Sequence, residues 1–296
     1  MSKLFVTVIL TIIINLAESA PLEHSIPYSD QLARNKLIYA AIAAYGTAPQ
    51  GCMDQAFNGS MIRRQITVPC DTVDPNDTCS GFTAVSHEDR AVLVVFRGTT
   101  SDEQLAIEGV VTVTENHKPW ITGGVVSEYF GDAFYKIWNS GMKDDVNTLL
   151  SQYPSYQVWV TGHSLGGALA SLASSYLVFN RYVSTENLLL VTFGQPRTGN
   201  LTYAQSVDSL VQNAYRVTHS HDPVPHLPGK GHHGYWHHKS EVYYNEKMTG
   251  WNICEEDEGQ RCSDANGLDL DFKDHLHYFN LDILGMGYSN CQNVTL

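Results

Sequence analysis

Val158-Trp-Val-Thr161 runs straight into Gly162-His-Ser-Leu-Gly-Gly167, and Ala168 to Leu177 continues in alanine, serine and leucine but for Tyr176. The first four residues, β-branched or aromatic, read as a buried strand. The last segment reads as a helix from Gly166 to about Leu177, small enough to pack closely on a sheet. Between them lies Gly162-x-Ser164-x-Gly166. A serine on so sharp a strand-to-helix turn sits in a strained backbone, expected to expose its hydroxyl above the sheet edge. A Cβ on either flanking glycine would clash with strand or helix. The helix N-terminus adds free N–H groups and a partial positive charge. As a bare pattern this spacing arises by chance, but between a strand and a helix it marks a nucleophilic serine.

On either side of this stretch the chain alternates. Ser29-Asp30 caps an expected helix carrying Leu32, Leu37, Ile38, Ala41 and Ala44, which Gly46 would end. Ala91 to Phe96 is a continuous apolar run, as a strand covered on both faces should be. Phe130, Phe134, Ile137, Trp138, Val146 and Leu149 share one helical face. Leu188 to Phe193 and Tyr215 to Thr218 read as two further strands. Strands alternating with helices predict an α/β fold with a mostly parallel sheet, in one domain without repeats or linkers.

The 296 residues are 43% hydrophobic and 17% charged, which excludes disorder, collagen and coiled coil. A net charge of -13 leaves no extended basic face for phosphates, so no nucleic-acid partner is expected. Lys3, the apolar run Leu4 to Leu16 and the small residues Ala17, Ser19 and Ala20 form the N-terminus. That run is shorter than the about 20 residues a membrane span needs. Residues 1–19 therefore read as a signal peptide and 20–296 as a secreted, extracellular domain with no transmembrane segment. Six cysteines in such a chain suggest three disulfides, although fifteen connectivities exist. Cys70 with Cys79 and Cys254 with Cys262 would close short loops, leaving Cys52 with Cys291. Asn58, Asn76, Asn200 and Asn293 begin glycosylation sequons, of which only some are expected to be used.

A serine hydroxyl needs a base to take its proton and an acid to orient that base. In α/β-hydrolases these follow in the order serine, acid, histidine. Asp222 lies just beyond the strand at Tyr215 to Thr218, at the sheet end where such folds place their sites. Asp208 and Asp264 follow no apolar run. Thirteen histidines make spacing useless for the base, but Asp274-His275-Leu-His277-Tyr-Phe279 could return to the sheet edge.

Thr161 to Gly167, Phe96-Arg-Gly-Thr-Thr100, Asp222-Pro-Val-Pro-His-Leu-Pro228 and Asp274-His-Leu-x-Tyr-Phe279 together resemble the fungal-type (class 3) lipase family. The likeness spans most of the chain, with the motifs in the family's order. It implies an α/β-hydrolase fold with Ser164 as nucleophile, Asp222 as acid and His275, which precedes Leu-x-Tyr-Phe, as base in preference to His277. It further implies an oxyanion hole of the Thr99 and Leu165 N–H groups, a lid helix at residues 100–111, and the three cysteine pairings above. The activity implied is carboxylic-ester hydrolysis through an acyl-enzyme, with triacylglycerol or another neutral ester as substrate at a lipid–water interface, and no cofactor or metal. A feruloyl-type or short-chain esterase, a phospholipase and a non-catalytic lipid-binding protein are the alternatives.

The chain also departs from the family pattern. Val126-Ser-Glu-Tyr-Phe130 replaces Val-His-x-Gly-Phe, and Leu105 stands where tryptophan is frequent in the lid, among Asp102, Glu103 and Glu108. The segment Gly231 to His238 offers His232, His233, His237 and His238 as zinc ligands. Against zinc, no carboxylate or cysteine is in register, and Tyr235 to His237 with Glu241 to Tyr244 resemble a late strand pair of the family.

Overall fold

The computed structural model describes residues 26–70, 77–99, 114–267 and 270–292. The expected signal peptide and lid, and the sequons at Asn76 and Asn293, lie outside them. Eight strands form the central sheet: β1 (Met61–Pro69), β2 (Thr78–Ser86), β3 (Ala91–Phe96), β4 (Gln157–His163), β5 (Leu188–Phe193), β6 (Ala214–His219), β7 (Glu241–Tyr244) and β8 (Trp251–Cys254). They lie side by side in chain order. From β3 to β7 every pairing is parallel, while β1, β2 and β8 add antiparallel edges. This is the α/β-hydrolase fold.

Its core has two sides because the central strands alternate between them. Leu93, Val95, Trp159, Val191 and Val217 pack with the helical run 30–43. Val94, Phe96, Val158, Val160 and Leu190 pack with the helix Leu165–Phe179 and with Phe130, Phe134 and Trp138. All residues of β3, β5 and β6 are buried, and each Val, Leu or Phe so covered contributes about 1.5–3 kcal/mol. Ser29 caps the first helix, accepting from Leu32 N–H. Cys52–Cys291, Cys70–Cys79 and Cys254–Cys262 are the disulfides.

Two expectations are corrected. The single helical face from Phe130 to Leu149 belongs to two helices, Glu128–Ile137 and Lys143–Gln152, separated by a wide turn in which Gly141 has φ 127°. Only glycine reaches that angle cheaply. The late strand pair does not pair with itself. Tyr235–Trp236 joins Gly199–Asn200 in a separate four-stranded sheet, whereas Glu241–Tyr244 is β7, beside β6. Asn200, a sequon residue, uses its side-chain oxygen to accept from Tyr203 and Val125 N–H groups, whereas Asn58 sits exposed on a turn. Among the described residues no helix is long and apolar enough to cross a membrane.

Candidate active site

β4 delivers Ser164 at the carboxyl end of the sheet, with φ 59° and ψ -132°, immediately before the helix Leu165–Phe179. The strain is held by close packing. A Cβ on Gly162 would come within 2.3 Å of the Gly166 carbonyl oxygen, and one on Gly166 within 2.4 Å of the Phe96 carbonyl oxygen. Ser164 N–H donates to the Phe193 carbonyl at 2.8 Å, binding the turn to β5. The expected exposed hydroxyl is corrected: Ser164 is 2% exposed, and its Oγ makes no hydrogen bond. The end of β3 crowds the serine, since a Cβ on Gly98 would lie 3.1 Å from Ser164 Cβ. Thr99 therefore follows one residue beyond that contact, half-buried. Leu165 opens the helix, where N–H groups have no partner within the helix.

The expected acid and base, Asp222 and His275, meet. His275 Nδ1 lies 2.9 Å from Asp222 Oδ2, both side chains being almost fully buried. Burial alone would raise the Asp222 pKa. The charge of His275, its hydrogen bond and those from Tyr278 and Val224 outweigh this and hold the carboxyl below its ordinary range. An ionised carboxylate only accepts, so His275 Nδ1 carries a proton and Nε2 is left as the basic nitrogen. Tyr278 O–H donates to the same Oδ2 at 2.6 Å, and Val224 N–H donates to Oδ1 at 2.9 Å. Burial, then the Asp222 charge, pushes the Tyr278 phenol well up, keeping it a donor.

The strand β5 bridges this pair to the serine. Phe193 holds Ser164 through its carbonyl, and the next residue, Gly194, has φ 58° with its Cα against the pair. A Cβ there would meet Asp222 Oδ2 at 2.8 Å and His275 Nδ1 at 2.9 Å. A Ser164–His275 hydrogen bond is not formed, and such contacts often tighten only when substrate is bound. His277 instead turns to the Lys273 carbonyl, Asp208 to Lys239 N–H, and Asp264 to His226.

Sequence reasoning gave no role to Tyr278, Gly194 or His163, although two of these lie inside quoted motifs. In the departure at Val126 to Phe130, Ser127 is the N-cap of Glu128–Ile137, its Oγ accepting from Phe130 N–H. In the histidine-rich segment, His232 and His233 are exposed while His237 and His238 are buried. His237 Nε2 faces the Pro225 carbonyl at 2.7 Å. Among the described residues no three His, Cys, Asp or Glu side chains are grouped to hold a metal.

A strained serine between strand and helix, next to a buried Asp–His pair on this sheet, defines the class: a serine ester hydrolase of the α/β-hydrolase fold. The family model for lipase (class 3) matches residues 93–232. A lipase of Caenorhabditis elegans is 32% identical over 89% of this chain and 83% of its own length. A secreted mono- and diacylglycerol lipase of Penicillium camembertii is 31% identical over 72% of this chain and 70% of its own. The chain spans about half the length of the Rhizopus lipases it matches. A solved triacylglycerol lipase, described as having a serine protease triad as its catalytic centre, superposes with TM-score 0.74 and 26% identity. That match covers 87% of this chain and 97% of the lipase. The chain belongs to the class 3 lipase family.

Proposed function

We propose that the protein is a secreted triacylglycerol lipase working through an acyl-enzyme, with Ser164 as nucleophile, His275 as general base and Asp222 as its orienting acid. The observation that carries this reading is the 2.9 Å Asp222–His275 bond, with β5 holding the Ser164 turn at the same sheet end. Ser164 Oγ attacks the ester carbonyl while His275 Nε2 accepts its proton. Collapse of the tetrahedral intermediate releases the alcohol, which takes that proton from His275. Water then repeats the sequence on the acyl-enzyme, freeing the carboxylic acid and restoring Ser164. The N–H groups of Thr99 and Leu165 receive the developing oxyanion, where one donor is worth about 3 kcal/mol.

The domain assignment belongs to the same proposal: a signal peptide at 1–19 and a hydrolase domain at 20–296 with a lid at 100–111. Burial of Ser164 supports a covered site, and the secreted Penicillium relative supports an extracellular location. The test compares emulsified long-chain triacylglycerol with a soluble short-chain ester, for wild type and Ser164→Ala. The reading requires turnover of the emulsion that disappears in the variant. Turnover of the soluble ester alone would make the protein an esterase, and none on either would leave a lipid-binding protein.

A further inference from the structure

His163 precedes the nucleophile in the chain and is 1% exposed. Its flat ring makes a polar contact at each nitrogen and lies against a third group. Nε2 is 2.8 Å from the backbone carbonyl oxygen of His275, and Nδ1 is 2.8 Å from the Tyr45 hydroxyl. The ring centroids of His163 and His275 are 4.5 Å apart at an interplanar angle of 34°. A carbonyl oxygen can only accept, so Nε2 carries the proton. In a neutral ring Nδ1 must then accept, which makes Tyr45 O–H its donor. The Tyr45 oxygen is in turn hydrogen-bonded to the Gly98 backbone, and a Cβ on Gly98 would sit 2.2 Å from it. All donors run one way: from Gly98 N–H to Tyr45, from Tyr45 to His163, and from His163 to the His275 carbonyl.

We infer that His163 and Tyr45 are positioning residues that lock the base-bearing loop to the nucleophile strand and to the end of β3. The inference rests on the proposed roles of Ser164 and His275. Among the described residues, the loop's other hydrogen bonds to the sheet end reach residues 219–222: Asp222 holds His275 and Tyr278, and Asp274 Oδ2 accepts from His221 N–H at 2.9 Å. His163 ties the loop to β4, one residue from the serine. Movement of the nucleophile turn therefore carries the base with it, through a bond that leaves His275 Nε2 free. Burial, followed by the charge of His275, pulls the His163 pKa down to about 3, so the ring stays neutral while its neighbour gains and loses a proton. Histidine suits the position because one flat side chain stacks on the base and also supplies a donor and an acceptor at opposite edges.

The test uses His163→Phe, which keeps a flat ring and loses both hydrogen bonds, His163→Gln, which keeps a donor, and Tyr45→Phe. Three quantities are read on the folded protein: kcat and KM on a soluble short-chain ester, the thermal midpoint, and the low-field proton resonance of the His275–Asp222 hydrogen bond. The expected result is a kcat on the order of 10- to 100-fold lower in His163→Phe, as for a misplacement of about 1 Å, with KM little changed. Tyr45→Phe should fall between it and wild type, His163→Gln should recover part of the loss, and the resonance should broaden in step with kcat. A lower thermal midpoint with unchanged kcat per folded molecule and an unchanged resonance would overturn the inference, leaving a packing role alone. If wild type had no Ser164-dependent turnover, the proposed function would fail separately. The resonance would still decide the positioning role: broadened in His163→Phe or Tyr45→Phe it stands, unchanged it falls.

Discussion

Asp222 determines both the tautomer of His275 and part of the acid sensitivity of the fold. Its carboxylate is held below its ordinary pKa by His275, Tyr278 and Val224 despite complete burial. With the folded pKa below the unfolded one, these bonds stabilise the protein above about pH 4. That stability is lost as pH falls through the folded value. The thermal midpoint should therefore drop as pH decreases below about 4, and Asp222→Asn should flatten that drop; an identical slope in the variant would place the acid sensitivity elsewhere. The same variant presents a neutral amide to His275 and favours the wrong tautomer, so kcat should fall on the order of 10³- to 10⁴-fold in a protein that still folds. At this scale the sequence was informative where a motif names its residue, as for the placement of Ser164 before its helix and of Asp222 beside His275. It was silent on Tyr45, which meets His163 from 118 positions away.

Turns and strand ends do the positioning. Gly194 follows β5 in the left-handed region and presents only a hydrogen where a methyl group would strike Asp222 and His275. Gly194→Ala should lower kcat on the order of 100-fold, with a smaller effect on substrate binding; retention of full activity would mean that the acid–base pair tolerates displacement. The helix Leu201–Leu210 carries a second titrating feature, Asp208, whose pKa is pushed up to about 7 by burial and then by the nearby Asp257 charge. A raised folded pKa gives stability that is complete below the unfolded value, about 3.9, and is lost as pH rises through about 7. Asp208→Asn should reduce the decline in thermal midpoint between those values. The central strands and the helix after Ser164 were legible because both faces are buried and their residues are mostly apolar or small. β1 was not: an edge strand containing Arg63, Arg64 and Gln65 gives no alternation to read.

Over the whole molecule, the sheet is ordered as the chain is, and the disulfide between Cys52 and Cys291 joins residues 239 positions apart. By loop-closure entropy such a link is worth about 5.5 kcal/mol, against about 2.5 kcal/mol for a loop of roughly nine residues. Cys52→Ser should lower the thermal midpoint more than Cys254→Ser; equal losses would show that the long closure adds nothing beyond local packing. The three pairings were accessible from sequence because two pairs are local and leave one remainder. The four-stranded sheet around Gly199–Asn200 was not, because its strands are two or three residues long and meet from distant parts of the chain. The inward turn of His237 and His238 was hidden for a similar reason. Their partners, Pro225 and Gln195, belong to other loops.

The nucleophilic role proposed for Ser164 depends on activation by His275 and Asp222. It is tested most directly by treating the purified, folded protein with a serine-reactive organophosphonate and locating the adduct by peptide mass spectrometry. One stoichiometric adduct is expected, on the peptide containing Ser164, formed much more slowly in Asp222→Asn and absent in Ser164→Ala. A folded protein that remains unlabelled, or that takes the label on another serine, would contradict that role.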